Sequence, residues 1–278
     1  MSRMQHKIYC QQNRKRRIRR FTLYLTLVLI AAGMLGRFRS SGMLTVDPLV
    51  APTATPLSAA FDETPVSRQI ILPDSVWYAL QTGIFSDAAA AEKAAALYSD
   101  RGAPGYILRQ NGKYRVLIAC YGSRDAAESV RSRLSEKQSV ETYIFEWSAD
   151  ELGMQMSGMA GQLDVVEAGL SLLHDTSVQL RDLASGCDSG EYTLEEGLAV
   201  VSGIQSQLTL LRSTLASRFS QPRPAFVTTE LSELDAALSL LVPLNECSTT
   251  TDLSARLKLQ AMALYEQLHN LRAILLDM

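Results

Sequence analysis

The chain has 278 residues, room for one or two modest domains with extensions, and its formal charge of −2 hides a sharp asymmetry. Residues 1–20 carry eight Lys or Arg and no acid; of 27 bases in all, that leaves 19 against 29 acids beyond residue 36. The only histidines are His6, His174 and His269, and no His-Glu-x-x-His, Gly-x-Ser-x-Gly, Gly-x-x-x-x-Gly-Lys or Cys-x-x-Cys pattern occurs, which argues against an enzyme, a bound metal or a cofactor.

The basic tail ends at Arg20, and Phe21 to Gly36 then runs uncharged and mostly apolar before Arg37. A basic flank before an apolar run is the positive-inside pattern. It predicts a single-pass membrane anchor over residues 21–36, with residues 1–20 in the cytoplasm and the C-terminal remainder exported. Such a run makes about 24 Å of helix against a hydrocarbon core of ~30 Å, and Arg20 and Arg37 can snorkel to the two interfaces. The rival reading is a signal peptide cleaved at Ala31-Ala32-Gly33. Membrane orientation accounts for the basic tail without a nucleic-acid partner. Residues 37–75 read as a linker, with Pro48, Pro52, Pro56, Pro65 and Pro73 scattered among Ser, Thr and Ala. Its span is roughly 35 Å as a coil and about 120 Å as polyproline II, enough to reach the cell wall.

Residues 76–147 hold the same unit twice, at an offset of about 36 residues. Val76–Thr82 and Tyr114–Ala119 alternate with period two, as half-buried strands do; Ser86 or Asp87, and then Ser123, stand where a helix N-cap belongs. Gly102-Ala103-Pro104-Gly105 stops the first helix, and Asn111-Gly112 makes a tight turn between the copies. Tyr106-Ile107-Leu108 and Tyr143-Ile144-Phe145 close them. Two strand–helix–strand copies give βαββαβ, a four-stranded sheet with both helices on one face and the other face open, the alternative being that the C-terminal region covers it. By parity Tyr78, Leu80, Tyr114, Val116 and Ile118 face the helices; Trp77, Ala79, Gln81, Arg115 and Leu117 face outward.

These residues carry a resemblance. Leu80-Gln81-x-Gly83-x-Phe85, then Gly102, then Tyr114-Arg115-Val116 are similar to the signature of the SPOR (sporulation-related repeat) domain family, over about 70 of the 278 residues. The resemblance implies a βαββαβ fold that binds septal peptidoglycan, specifically glycan strands stripped of their stem peptides. Carried over by position, Gln81 and Arg115 would contact glycan, with Trp77 and Leu117 beside them on the same face. Where the family usually has Gly-Pro-Phe after the third strand, this chain has Ala119-Cys120-Tyr121.

Residues 148–278 change to a helical pattern. Leu152, Met156, Met159, Leu163, Val166, Leu170 and Leu173 follow heptad spacing, and three further leucine-rich stripes begin at Leu194, Leu231 and Leu253. Breaks fall at Ser185-Gly186, at Ser220 to Pro224 and at Pro243 to Thr250, so the expectation is an antiparallel all-α bundle. Cys187 and Cys247 would then follow the first and third helices at one end, where a disulfide could join them; two free thiols are the alternative.

The fold class is therefore α+β: a βαββαβ domain on a membrane anchor, followed by a helical bundle. The expected function is non-enzymatic binding of peptidoglycan at the cell envelope, targeting division or sporulation septa. The alternative is an envelope scaffold that acts through protein–protein contacts of the bundle, with a degenerate sheet domain.

Overall fold

The computed structural model describes residues 65–219 and 223–276. The basic tail, the anchor and the linker up to residue 64 lie outside the described residues. In chain order the elements are β1 (Pro65–Leu72), β2 (Ser75–Phe85), α1 (Ala88–Ser99), β3 (Tyr106–Gln110), β4 (Lys113–Tyr121), α2 (Arg124–Gln138), β5 (Tyr143–Ala149), β6 (Leu152–Met159), α3 (Ala160–Ser189), α4 (Leu194–Arg218), α5 (Ala225–Leu241), a 3-10 turn (Val242–Glu246) and α6 (Thr250–Leu276).

β2 to β5 form the βαββαβ unit as an antiparallel sheet of order β3-β4-β2-β5. Local chemistry fixes each joint. The Asp87 carboxylate accepts from the Ala90 N–H at 2.9 Å and starts α1, and Ser123 accepts from Ala126 N–H at 3.3 Å and starts α2. Asn111 and Gly112 both have positive φ, 52° and 70°, which matches the twist of the β3–β4 hairpin. The two helices cover one face: Leu80, Ile118, Tyr121 and Ala127 form one cluster, and Ala91, Ala95 and Val116 another. Tyr78, Leu80, Val116 and Ile118 thus face the helices, as their parity predicts. The register slips where Leu80 pairs with Ala119 but Gln81 pairs with Leu117. This bulge moves Ala119 and Tyr121 to the helix side and Cys120 to the opposite one.

Three sequence expectations need correction. The segment 152–159 is a strand, not the start of a helix. It pairs antiparallel with β1, from Pro65↔Met159 to Leu72↔Leu152, in a separate two-stranded ribbon. The end of the linker is therefore structured: Ile70 and Leu72 are buried, with Met154 and Met156 packed against the same core. Arg68 reaches Asp164 at 2.8 Å and Glu167 at 3.3 Å and ties the ribbon to α3. Secondly, α3 continues through Ser185-Gly186 to Ser189, so Cys187 lies in its last turn; Cys187 and Cys247 are both buried and both free. No disulfide joins them.

The third correction concerns the face expected to be open. Trp77, Ala79, Leu117, Cys120 and Trp147 are each no more than 4% exposed. They belong to one apolar cluster with Leu173, Leu180, Met262 and Tyr265, because α3 and α6 lie across this part of the sheet. Exposing Trp77, Trp147, Leu117 and Tyr265 would cost about 1.5–3 kcal/mol each, of order 10 kcal/mol together, comparable with the whole stability of a domain. The contact is part of the folded core.

The four long helices run alternately up and down. Gln162 near the start of α3 donates to the Arg218 carbonyl at the end of α4, Arg212 of α4 pairs with Asp235 of α5, and Lys258 of α6 pairs with Asp188 at the end of α3. Val166 and Leu170 meet Leu271 and Leu275 at the opposite end. Gly169 makes room for the side chain of Glu230 in α5, whose Oε1 would collide with any Cβ at this position.

Glu230 is 2% exposed, and neither carboxyl oxygen has a hydrogen-bond partner. Burial alone pushes its pKa from 4.5 up to about 9. Between those values the unfolded chain has lost a proton that the folded chain keeps, so stability falls as pH rises through the window, by up to about 1.4 kcal/mol per pH unit. Urea unfolding of Glu230→Gln between about pH 6 and pH 8.5 should show a flatter pH dependence than the parent. An unchanged slope would mean that the carboxyl is already ionised in the folded protein.

Candidate functional site

Beyond the helices the second face of the sheet stays uncovered at one end. β2, β4 and β5 place five side chains there. The register sets Gln81 opposite both Leu117 and Tyr143, Ala79 opposite Phe145, and Ile84 opposite Arg115. Tyr143 is 65% exposed and Ile84 46%, whereas Arg115 and Phe145 are half-buried and Gln81, at the edge of the covered part, is buried. Arg115 Nη1 donates to Gln81 Oε1 at 2.6 Å, and its guanidinium lies 4.5 Å from the centre of the Phe145 ring. A cation over an aromatic face is attracted to the ring quadrupole, so Phe145 holds the guanidinium over its ring while Gln81 accepts from it.

Arg115 has no carboxylate within ion-pair distance among the described residues, and its Nε is buried without a hydrogen-bond partner. Fully buried charges are ordinarily paired, and the half-buried Arg115 is held by an amide and a ring instead. An arginine fork that is oriented but not neutralised is equipped to donate to a carbonyl, hydroxyl or carboxylate oxygen of a ligand. Tyr143 and Phe145 supply apolar ring surface beside it. The cluster holds no acid–base pair, and no group of three His, Cys, Asp or Glu among the described residues could hold a metal ion. His269 lies elsewhere, against Trp147 at 5.8 Å between ring centres, and burial lowers its pKa.

Of the four residues singled out in the sequence, the fold brings Gln81 and Arg115 together on neighbouring strands and takes the other two away. The Trp77 indole is stacked on Tyr265, 4.1 Å between centres and 11° between planes, with Arg181 5.0 Å from its ring centre. It has no face left for a ligand. Leu117 is fully buried under the same helices. Sequence reasoning missed Tyr143, Phe145 and Ile84. The signal for the first two was available: Tyr143, Phe145 and Trp147 alternate along β5 and share a face with Gln81. Ile84 reaches that face only through the bulge between Gln81 and Gly83.

A βαββαβ sheet with a cation, an amide and aromatic rings at its uncovered end is the architecture of a small recognition domain. Residues 76–145 match the family model of the SPOR domain, and the chain carries such a domain there. Among solved structures, similarity is found to the peptidoglycan binding domain of the B. subtilis cell wall lytic enzyme CwlC, 25% identical over 26% of this chain and 91% of that one, with a TM-score of 0.23. No curated protein matches the chain.

Strand parity supplies its own control. Arg115→Ala, at the rim, should change unfolding free energy by no more than about 1 kcal/mol, whereas Val116→Asp, fully buried against α1, should cost 3 kcal/mol or about that. Denaturant unfolding of the two variants checks this. Equal losses would mean that Arg115 is a structural residue.

Proposed function

We propose that this protein binds peptidoglycan glycan without cleaving it, through the Gln81–Arg115–Phe145–Tyr143 end of its SPOR domain. Residues 21–36 anchor it as a single-pass membrane protein, with the N-terminus cytoplasmic and the C-terminus outside. It accumulates at division or sporulation septa, where glycan stripped of stem peptides is plentiful. The family match over residues 76–145 supports the ligand class. The observation that carries the site is the oriented, unneutralised Arg115 beside an exposed tyrosine. Among the described residues no helix is long and apolar enough to cross a membrane, so the anchor rests on the basic-then-apolar pattern of residues 1–36.

A second reading has an observation of its own. Burial of Trp77 and Leu117 beneath α3 and α6 removes half of the expected sheet platform, which suits a scaffold working through its helices with a SPOR domain that has lost its ligand.

Co-sedimentation of the full-length protein, in detergent, with purified peptidoglycan separates the two. Glycan binding predicts pelleting that weakens about tenfold in Arg115→Ala and in Tyr143→Ala, the effect of one lost hydrogen bond to a charged group or one lost ring contact. Pelleting that neither substitution changes would refute the sheet-end site; no pelleting at all would leave the scaffold. For topology, a reporter active only outside the cytoplasm should work when fused after Met278, and a mature N-terminus near Met34 would contradict the anchor.

A further inference from the structure

Resting on that reading, we infer that the C-terminal helices make the sheet a short site: it takes one or two sugar rings of a glycan, not a strand lying along the whole sheet. The limit comes from what covers the platform. Along β2 the outward residues Trp77, Ala79 and Gln81 are 1%, 0% and 6% exposed, and only Ile84, past the bulge, opens to 46%. Across the sheet the covered half comprises Leu117 and Cys120 of β4 and Trp147 of β5, and the free half Arg115 and Tyr143. The free patch begins past the buried Gln81 and includes Ile84, no more than about 10 Å at ~3.3 Å per residue, and is three strands wide, about 10 Å at ~4.8 Å per strand. That is about the footprint of a disaccharide. A chain continuing along β2 toward Trp77 meets α6.

The cover is fastened at several points, so a saccharide would not displace it readily. The Tyr265 hydroxyl lies 3.0 Å from both the Ser75 and the Trp147 carbonyls, bridging the ends of β2 and β5. Arg272 donates to the carbonyls of Pro73 and Asp150, the residues just before β2 and just after β5. The Tyr106 hydroxyl donates to the Glu266 carboxylate and holds β3 to α6. The β1–β6 ribbon links the chain entering the domain to the chain leaving it. The helices therefore set the length of ligand the sheet accepts, and Arg115, the one unneutralised cation of the five side chains, selects a ring bearing a carbonyl or carboxylate oxygen.

The two tryptophans of the chain, Trp77 and Trp147, both sit in the covered half and report on it. The test titrates the full-length protein with amidase-stripped peptidoglycan fragments of two, four and eight sugars, following affinity and acrylamide quenching of tryptophan emission. A short site predicts that affinity per disaccharide unit changes less than about threefold from four sugars to eight, and that quenching is the same at saturation as in the free protein. Eight sugars binding more than tenfold tighter per unit than four, or a rise in quenching on binding, would overturn the inference while leaving glycan binding intact. Failure of every fragment and of intact peptidoglycan to bind would overturn the underlying reading and the inference with it.

Discussion

The indole of Trp77 lies parallel to the ring of Tyr265 at 4.1 Å, while Trp147 meets the same tyrosine edge-on at 4.8 Å between centres. Offset and edge-on pairs of this kind add to the area that large rings bury, and here they sit where the sheet meets the helices. The tyrosine hydroxyl, within 3.0 Å of two backbone carbonyls, finds an acceptor for its one proton inside the contact. Because the sheet gives up one half of its second face to this contact, the position and extent of its free end and the stability of the helices all follow from one packing event.

A sheet that buries both faces over part of its area and one face elsewhere carries two kinds of outward residue. Under α3 and α6 they are Trp, Leu, Ala and Cys, as a core requires. At the free end they are Arg115, Tyr143, Phe145 and Ile84, with the buried Gln81 at its edge, and the polar ones among them can hydrogen-bond. The orphaned Glu230 carboxyl shows the other side of the same economy: the bundle accepts one protonated acid among methionines and leucines, at a stability that declines in alkali.

Much of this was legible in the residues. Period-two alternation, two N-caps and an Asn-Gly turn specify the βαββαβ unit, and each of those signals is local. Parity placed Gln81 and Arg115 on one face correctly. It could not reveal whether that face meets water or another part of the chain, since Trp77 suits a ligand platform and a buried floor equally well. The partner that decides it, Tyr265, lies almost 190 residues away. The ribbon was hidden for a similar reason. Leu152, Met154 and Met156 alternate as a strand does, but Leu152, Met156 and Met159 also fit a heptad, and the deciding strand β1 lies some 90 residues earlier between two prolines that read as linker. Ile84 escaped because a bulge shifts parity, and the one local mark of it is Gly83 inside the strand.

On the function proposed above, the free end of the sheet recognises glycan while the helices stay docked. Side-chain NMR of the full-length protein in detergent, titrated with an amidase-stripped tetrasaccharide, tests it most directly. Shifts confined to Gln81, Ile84, Arg115, Tyr143 and Phe145, with the indole signals of Trp77 and Trp147 unmoved, are the predicted result. Shifts centred on Trp77 and Tyr265, or on the helices with the sheet end silent, would contradict it.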